Sequence, residues 1–239
     1  MFEAAKNQYL VDNDKEFNCD DLLTIEDESL LDKSTLKAEL KALTKELGEL
    51  QHQLYAEDRR SLLCVFQAMD AAGKDSTIRA VFNRVNPMGC HVSSFKKPSS
   101  RELDHDFMWR SATQLPERGQ IGIFNRSYYE EGLVVKVHPE FLRFQRLPNL
   151  PKNLGENSLA DFWNNRYESF NDFEKHLARN GTLVLKFWLN VSKEEQKNRF
   201  LSRLDEPKKH WKLSFNKRLK KAYYRKHSVY NIIFFLDPS

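Results

Sequence analysis

Apolar runs and segments with helical signals alternate along this chain. Residues 62–66 are apolar at every position, without the polar alternation of a half-exposed strand, which predicts a central parallel strand covered on both faces. Apolar runs, capping motifs and turn signals predict strands at residues 91–96, 120–124 and 182–189, and helices at residues 74–85, 99–114, 159–179 and 192–207. Because strands that alternate with helices pair in parallel through right-handed crossovers, the predicted fold is α/β, a three-layer α/β/α sandwich.

The region before the first strand predicts one long amphipathic helix. Leucines recur there at alternating steps of four and three residues and form a narrow seam: Leu36, Leu40, Leu43, Leu47, Leu50 and Leu54. The seam could pair with a second copy of the chain, but fewer than three heptads favour packing on its own domain. The first thirty residues are polar and aperiodic, and we expect them to be loosely ordered or draped over the core.

The turn after residues 62–66 has the composition of a phosphate-binding loop. Gly73 lets the backbone approach a ligand, the amides that open the next helix point at it, and Lys74 brings a cation to the same place. The match to the usual P-loop pattern is partial, because Ala68 stands at its first glycine and Asp75 at the Ser/Thr after the lysine. An ordinary glycine turn is the alternative interpretation.

Asp70 favours the functional interpretation of this turn. Packing has no use for a carboxylate inside the turn, and together with Asp75 it could hold Mg²⁺ in place of the missing hydroxyl. Asn125 and Arg126 directly follow the strand predicted at residues 120–124. Polar residues at this end of a strand beside the phosphate strand lie over the ligand crevice of an open α/β sheet.

Cationic side chains recur at the predicted strand ends and helix starts. They are Lys74, Lys96, Lys97, Arg110 and Arg126, with Arg166, Arg199 and Arg203 on later helices. Any one of them is more commonly a surface charge, and one triphosphate does not need so many. Arginine forks bind phosphate oxygens in pairs and lysines act as mobile point charges, so a row of them along one sheet edge suits a long polyanion.

Charge and composition narrow the class of protein. The net charge of +4 hides an asymmetry: residues 1–30 hold nine Asp/Glu against two Lys, and residues 207–227 hold nine Lys/Arg and no acid. A basic run is usually a solvated face, but beside a phosphate loop it is also a candidate contact for a polyanion. No apolar run approaches a membrane span and the N-terminus lacks a signal-peptide pattern, so we expect a cytoplasmic protein whose three cysteines are reduced.

Six motifs, of which the phosphate-binding loop is the first, follow one another in a characteristic order. They lie at residues 66–75, 94–96, 105–110, 121–130, 164–168 and 199–205. Together they resemble the polyphosphate kinase 2 family over residues 61–213. The resemblance implies a thymidylate-kinase-like P-loop kinase fold, with reversible, Mg²⁺-dependent transfer of the terminal phosphoryl group of inorganic polyphosphate to ADP and/or AMP.

The resemblance also implies roles for particular residues. Asp70 would organise the metal, Lys74 would bind phosphate and Arg126 would contact the transferring phosphoryl group. Glu130 resembles the subgroup that accepts both AMP and ADP, since the subgroup confined to nucleoside diphosphates has asparagine there, and Tyr128 stands where the family usually has histidine. The candidate catalytic residues are Asp70, Lys74, Arg126 and Glu130, with Asp70 as the candidate metal ligand. The candidate polyphosphate- or nucleotide-binding residues are Ala71, Ala72, Gly73, Asp75, Ser76, Lys96, Arg110, Asn125, Arg166, Arg199 and Arg203.

The chemistry implied by this resemblance needs no general base. The acceptor is a nucleotide phosphate oxygen that is already ionised at neutral pH, so catalysis reduces to holding two polyanions in line and neutralising charge on the transferring group. The seven histidines show no ligand spacing, and none need carry a phosphoryl intermediate. The expected partners are inorganic polyphosphate, the nucleotides ADP, AMP and ATP, and further copies of the chain, with no membrane.

The sequence divides into three segments. Residues 1–57 hold the acidic segment and the leucine helix, residues 58–213 form the P-loop polyphosphate kinase core, and residues 214–239 form an atypical basic tail. Beyond residue 213 the chain departs from the family pattern, in which an acidic lid helix, a further strand and a terminal helix follow. We therefore expect a truncated C-terminus with an incomplete lid and an uncovered sheet edge, which would impair activity, unless residues 232–236 form a substitute strand.

Two other functions remain open at this point. An ATP-dependent nucleotide or nucleoside kinase would use the same loop but would not need so many cations. A non-catalytic protein that binds polyanions or nucleic acids would act through residues 207–227, where aromatic side chains offer stacking partners: Trp211, Phe215, Tyr223 and Tyr224. Because no recognisable RNA- or DNA-binding fold accompanies them, no nucleic-acid partner is expected.

Overall fold

One parallel sheet forms the centre of the fold. The structure is a computed structural model that describes residues 9–11 and 32–205. The strands are β1 (Ser61–Ala68), β2 (Cys90–Ser94), β3 (Ile121–Asn125) and β4 (Thr182–Leu189). They pair in parallel in the order β2-β3-β1-β4, so β1 is an inner strand. All four predicted strands are present, and their parallel pairing confirms the predicted fold class.

Helices connect the strands and cover both faces of the sheet. The α-helices are α1 (Lys33–Glu57), α2 (Lys74–Val81), α3 (Ser100–Leu103), α4 (Trp109–Ala112), α5 (Glu130–Val137), α6 (Ala160–Arg179) and α7 (Lys193–Asp205). Short 3₁₀ helices lie at Pro87–Gly89, Pro139–Gln145 and Glu156–Leu159. The predicted helix at residues 159–179 is confirmed almost to the residue.

Successive residues of β1 contribute to the cores on opposite faces of the sheet. Leu63 is fully buried and belongs to one cluster with Phe170 of α6. Phe66 belongs to a second cluster with Ile78 of α2, against which part of α1 also packs. Fully burying a side chain of this size stabilises the fold by about 1.5–3 kcal/mol. A strand covered on both faces has no solvent side, which explains why its sequence shows no polar alternation.

The predicted helix at residues 99–114 is interrupted in the structure. The capping box of Ser99 and Glu102 is present and opens α3, but α3 ends at Leu103 and α4 begins only at Trp109. Asp106 causes the break, because its Oδ1 accepts hydrogen bonds from the amides of Met108 at 2.9 Å and Trp109 at 3.1 Å. A short polar side chain that caps these amides competes with a continuous helix, so a second helix start replaces the predicted interior.

The helices beside the sheet edge also differ from prediction. α2 ends at Val81 rather than at residue 85, and the chain continues as a turn. Asn86, which precedes Pro87, is extended with ψ of 125°, as proline requires of its predecessor. α5 has no counterpart among the predicted helices, because Gly132 and three valines give it low helical propensity.

α1 confirms the predicted leucine helix but not the face by which it packs. Its buried residues are Thr44, Gly48 and Gln51. A Cβ at Gly48 would lie 2.9 Å from the carbonyl oxygen of Arg84, so the helix approaches the core through a face of small and polar residues. Leu47 and Leu54 are partly buried against the core, whereas the other seam leucines are 40–55% exposed: Leu36, Leu40, Leu43 and Leu50. The expectation that the seam packs on its own domain is therefore wrong for these four.

Several predictions concern residues outside the described part of the chain. They include the loosely ordered acidic segment, apart from residues 9–11, the basic residues 207–227 and the substitute strand at residues 232–236. Within the described part, no helix combines the length and the apolar content that crossing a bilayer requires.

Candidate active site

The turn at residues 69–73 joins β1 to α2 and has an unusual backbone. Ala71 and Gly73 both have positive φ, 66° and 97°, and the Ala72 amide donates to the Met69 carbonyl oxygen at 3.2 Å. Left-handed residues in such a turn rotate neighbouring N–H groups toward a common side, next to the free amides that open a helix. The turn therefore has the backbone of an anion-binding loop, and Ala71 carries a steric penalty that Gly73 does not.

Lys74 begins α2 and turns its side chain back toward the end of β1. Its Nζ donates to the carbonyl oxygen of Ala68 at 3.0 Å. Burial lowers the pKa of Lys74 from its ordinary value and the nearby charge of Arg126 lowers it further, while the carboxylates of Glu130 and Asp70 act in the opposite direction. A partly dehydrated ammonium group gains from an anionic ligand, so this position suits phosphate.

Arg126 bridges the turn and the start of α5. Its Nη2 lies 3.2 Å from Asp70 Oδ1, and its Nη1 lies 3.5 Å from Glu130 Oε2. The Arg126 amide donates to the Phe66 carbonyl oxygen at 3.0 Å, and its φ of 67° is left-handed. The motif at residues 66–75 (the first motif) and the motif at residues 121–130 (the second motif) therefore each contain a non-glycine residue with positive φ, Ala71 in the first and Arg126 in the second, and such strain clusters at functional sites.

A second contact joins the two motifs at the level of the sheet. Phe66 of β1 pairs in register with Asn125 of β3, and Asn125 Nδ2 donates to Asp75 Oδ1 at 2.7 Å. Ser76 Oγ donates to the Gly73 carbonyl oxygen at 2.6 Å. These hydrogen bonds hold the first turn of α2 to both the turn and β3.

The Glu130 carboxylate is fixed from two sides. Burial raises the pKa of Glu130, and the positive charges of Arg126 and Lys74 oppose that rise. In the amide orientation that satisfies both neighbours, Gln67 donates to Glu130 Oε1 at 3.0 Å and accepts from the Ser127 amide at 3.1 Å. The Glu130 carboxylate thereby lies within 3.5 Å of the Arg126 guanidinium.

Lys96 and Arg110 lie beside the end of β2. Arg110 Nη2 donates to the Lys96 carbonyl oxygen at 2.7 Å, and Arg110 Nε lies 3.4 Å from Glu102 Oε1. The Arg110 guanidinium also lies over the ring of Phe95, 5.2 Å from its centre. Lys96 is exposed, so it is an available cation at this edge, whereas Arg110 is held by its neighbours.

Arg166 does not join the exposed row of cations that the sequence predicted. Its side chain is 3% exposed, and it donates to Glu131 Oε2 at 3.1 Å and to Gln145 Oε1 at 2.9 Å. The guanidinium also lies 4.3 Å and 4.8 Å from the ring centres of Phe107 and Phe162. Burial lowers the pKa of Arg166 to about 10, against the opposing effect of Glu131. The structure thus gives Arg166 an internal ion pair between α5 and α6.

Arg199 of α7 contacts the outer side of the turn. Its Nη1 donates to the carbonyl oxygens of Ala72 at 2.8 Å and Ala71 at 3.4 Å, and its Nε donates to Glu195 Oε1 at 2.6 Å. Arg199, a predicted binding residue, therefore lies beside the turn and is held there by hydrogen bonds to the backbone of the turn. Arg203 belongs to the same helix one turn later, and its side chain lies outside the described part of the chain.

Two buried glutamines belong to the site and were not predicted. Gln67 is 1% exposed and contacts Glu130, as described above, and Gln196 of α7 is 4% exposed. Gln196 Nε2 donates to the Asp70 carbonyl oxygen at 2.6 Å. The signal that could have found Gln67 is a polar residue that directly continues an apolar strand; Gln196 has no comparable signal.

A buried polar cluster lies behind the second motif. Tyr128 and Tyr129 both donate to Glu174 Oε1 at 2.6 Å, and Lys186 Nζ donates to Glu174 Oε2 at 2.7 Å. Burial raises the pKa of both tyrosines well above the ordinary value, and the charge of Glu174 raises it further. Tyr128 is therefore a neutral hydrogen-bond donor within the core.

Removing the shared acceptor of this cluster should destabilise the protein strongly. In Glu174→Leu the Lys186 ammonium, 3% exposed, loses its carboxylate, and we expect the free energy of unfolding to fall by about 3–5 kcal/mol. Urea denaturation followed by far-UV circular dichroism measures the change. Glu49→Leu, on the exposed face of α1, is the control and should leave stability nearly unchanged. A loss below about 1 kcal/mol for Glu174→Leu would contradict a desolvated pair.

The chemistry of the carboxylates fits a metal that is shared with a substrate. No group of three or more His, Cys, Asp or Glu side chains within the described residues forms a metal cage. Asp70 is half exposed and offers a carboxylate at the mouth of the turn, whereas Asp75 accepts from Asn125. Mg²⁺ is usually held by one or two carboxylates together with substrate phosphates and waters, so a single exposed carboxylate beside a phosphate loop is a suitable donor set.

Comparison with known proteins identifies close relatives with named activities. An ADP-polyphosphate phosphotransferase of Rhodopseudomonas palustris is 54% identical over 175 residues, which cover 73% of this chain and 59% of the relative. An AMP/ADP-polyphosphate phosphotransferase of Meiothermus ruber is 46% identical over 173 residues, covering 72% of this chain and 58% of that protein. The chain thus spans under two thirds of the length of these curated relatives.

The fold and the family agree with these relatives. The crystal structure of polyphosphate kinase 2 from Arthrobacter aurescens TC1 superposes with a TM-score of 0.67 at 34% identity, over 88% of this chain and 74% of that one. The family model described as Polyphosphate kinase 2 matches residues 30–230, which extends on both sides of the stretch where the sequence motifs lie. The chain therefore belongs to the polyphosphate kinase 2 family.

Proposed function

We propose that the protein transfers the terminal phosphoryl group of inorganic polyphosphate to ADP and AMP, reversibly and with Mg²⁺. The observation that carries the proposal is the bridge that Arg126 makes between Asp70 and Glu130, beside Lys74. Two cations, Arg126 and Lys74, and the two carboxylates of the bridge thus lie together beside the turn. This arrangement suits two phosphate chains that meet end to end. The names of the relatives, which specify ADP or both AMP and ADP as acceptors, support the same reaction.

The residues act by positioning and by charge. The amides of the turn and the Lys74 ammonium hold the phosphates of the donor, and Arg126 neutralises charge on the transferring group. Asp70 would hold Mg²⁺, which would supply charge neutralisation for the bound phosphates. Glu130 keeps the Arg126 fork oriented. Because the acceptor oxygen is already ionised, no side chain has to remove a proton.

A product assay tests the proposed function directly. The chain is incubated with Mg²⁺, polyphosphate and either ADP or AMP, and nucleotides are separated by anion-exchange chromatography. We expect ATP from ADP, ADP from AMP, and no product when polyphosphate is omitted or Mg²⁺ is chelated. Phosphorylation of AMP by ATP without polyphosphate would instead identify an ATP-dependent kinase, and no product from either acceptor would refute the proposed activity.

A nucleotide acceptor implies that the protein acts in the cytoplasm.

Copies of the chain are further proposed to associate through α1. The four exposed seam leucines recur at helical spacing on a part of α1 that the core leaves uncovered: Leu36, Leu40, Leu43 and Leu50. We expect the double variant Leu40→Lys, Leu43→Lys to sediment as a monomer while the unmodified chain sediments as an oligomer. Phe144→Lys, which changes another exposed apolar side chain (61% exposed), should keep the oligomer. A monomeric unmodified chain would reject this assembly.

A further inference from the structure

Three successive carbonyl oxygens of the turn at residues 69–73, called the phosphate turn below because of its proposed ligand, accept hydrogen bonds from α7. The Asp70 carbonyl accepts from Gln196 at 2.6 Å. The next two, of Ala71 and Ala72, accept from Arg199 Nη1 at 3.4 Å and 2.8 Å. Gln196 and Arg199 are three residues apart and therefore lie on one side of the helix. One face of α7 thus supplies donors to the carbonyl oxygens of residues 70–72, while those of Met69 and Gly73 accept from the Ala72 and Thr77 amides.

The direction of these carbonyls is tied to the direction of the amides. Each peptide unit is planar, so its N–H and C=O groups point in opposite directions. A turn that presents its N–H groups to an anion must direct its carbonyl oxygens away from that anion, and carbonyls that face the protein need donors. Gln196, which is 4% exposed, supplies such a donor to the first carbonyl of the turn.

The sequence of this turn makes an external donor more important. Ala71 adopts φ of 66° without being glycine, and Ala68 stands where the usual loop has its first glycine. A side chain at positive φ favours relaxation to an ordinary backbone conformation, and that relaxation would rotate the peptide between Asp70 and Ala71. Strained residues persist where their surroundings hold them, and the Gln196 hydrogen bond acts on that same peptide.

We propose that Gln196 is a positioning residue for phosphate binding, which orients the turn by holding the Asp70 carbonyl oxygen. The inference rests on the proposed function, because it assumes that the turn binds the phosphates of the donor. Gln196 is neutral and buried, and its amide is occupied by the turn itself. Its effect on ligand therefore passes through the backbone, unlike that of Arg199, whose charge can attract phosphate directly.

Gln196→Leu and Gln51→Leu separate this role from general stability. Gln51 of α1 is 2% exposed and contacts the amide of Asn86, so the same chemical change is made at equal burial away from the turn. Tripolyphosphate is the probe, and its Kd is measured by isothermal titration calorimetry below the melting temperature of every variant. We expect Gln196→Leu to raise that Kd about tenfold, the cost of leaving one buried acceptor without its donor.

The kinetic readout has a matching expectation. Gln196→Leu should raise KM for polyphosphate while KM for ADP stays within about twofold, and Gln51→Leu should lower the melting temperature while leaving both KM values and the tripolyphosphate Kd unchanged. Should Gln196→Leu lack a cooperative unfolding transition, Gln196→Met, which has a side chain of similar length and no amide donor, is compared with Gln51→Met in the same way.

The possible outcomes distinguish the inference from the function on which it rests. A variant at position 196 that binds tripolyphosphate as tightly as the unmodified chain overturns the positioning role, whatever its melting temperature. An unmodified chain that does not bind tripolyphosphate overturns the proposed function and the inference together. A Kd raised at position 196 but not at position 51 supports the positioning role.

Discussion

Lys74→Met is expected to lower kcat for the proposed polyphosphate-dependent ATP formation by about 10²–10³-fold. The Lys74 Nζ is anchored over the end of β1 by the Ala68 carbonyl, and burial has already removed part of its hydration. The Lys74 ammonium group is therefore in place beside the turn before a substrate binds. Its surroundings need little reorganisation during the reaction. Methionine keeps most of the apolar stem and removes the charge together with the donor to the Ala68 carbonyl oxygen. Initial rates with saturating ADP, followed by nucleotide chromatography, measure the loss.

Lys136→Met is the control for this substitution. Lys136 is another half-buried lysine, on α5, and its Nζ donates to the Tyr167 hydroxyl at 2.9 Å. Its loss removes the same charge beside the Tyr167 hydroxyl rather than beside Ala68 at the end of β1, so kcat should stay within about threefold of the unmodified value. Equal losses in both variants would attribute the effect to net charge, and an active Lys74→Met protein would remove this lysine from the catalytic set.

The phosphate turn was predictable because its signals are local in the sequence. An apolar run, a carboxylate and a Gly-Lys pair within residues 62–74 indicate a strand and a charged turn. The assembly of this turn with the second motif is not local, since it depends on the register in which Phe66 pairs with Asn125. Because the carboxyl ends of parallel strands lie at one edge of a sheet, we could still predict that the turn and the second motif lie close together. The Asp70–Arg126 contact agrees with that prediction.

The sequence could not distinguish a cation that lies partly exposed beside the turn from one that is paired inside the protein. Arg126 and Arg166 both lie in polar motifs, but Arg166 lies against Glu131, which is 35 residues away, and is 3% exposed. Only the packing of α5 against α6 decides that partner. Gln196 was missed for a related reason. Its acceptor is a backbone carbonyl oxygen 126 residues away, and such a contact produces no pattern in composition or residue spacing.

The leucine helix illustrates a different limit. Apolar spacing predicted the helix, since seam residues on one face of a helix are a strong local signal. The face that actually packs was decided by shape, because Gly48 permits a close approach to the Arg84 backbone that no leucine would allow. Four leucines remain exposed as a result, and this surface was not predicted to be free.

Arg126→Gln is expected to lower kcat by about 10³-fold or more, comparable to removing an arginine that stabilises a phosphoryl transition state. The guanidinium at this position contacts carboxylates on both sides, 3.2 Å from Asp70 and 3.5 Å from Glu130. Glutamine keeps a polar group of shorter reach but loses the charge that would neutralise the transferring group. The tripolyphosphate Kd should change much less than kcat, because in the proposed mechanism the turn and Lys74, which this variant leaves intact, bind the donor chain. Rapid-quench single-turnover measurements isolate the chemical step.

Two further variants determine which property of Arg126 matters. Arg126→Lys keeps the charge but lacks the planar fork, so we expect partial recovery, with kcat between those of Arg126→Gln and the unmodified chain. Arg118→Gln is the control: Arg118 donates to the Arg59 carbonyl at 2.6 Å and to that of Asn180 at 3.2 Å, next to the amino ends of β1 and β4. It should leave kcat within about twofold, since no group there meets the phosphate turn. If Arg126→Lys were as inactive as Arg126→Gln, the planar fork of arginine rather than its charge would be the essential property. An unchanged kcat in Arg126→Gln would show that the bridge between Asp70 and Glu130 does not contribute to catalysis.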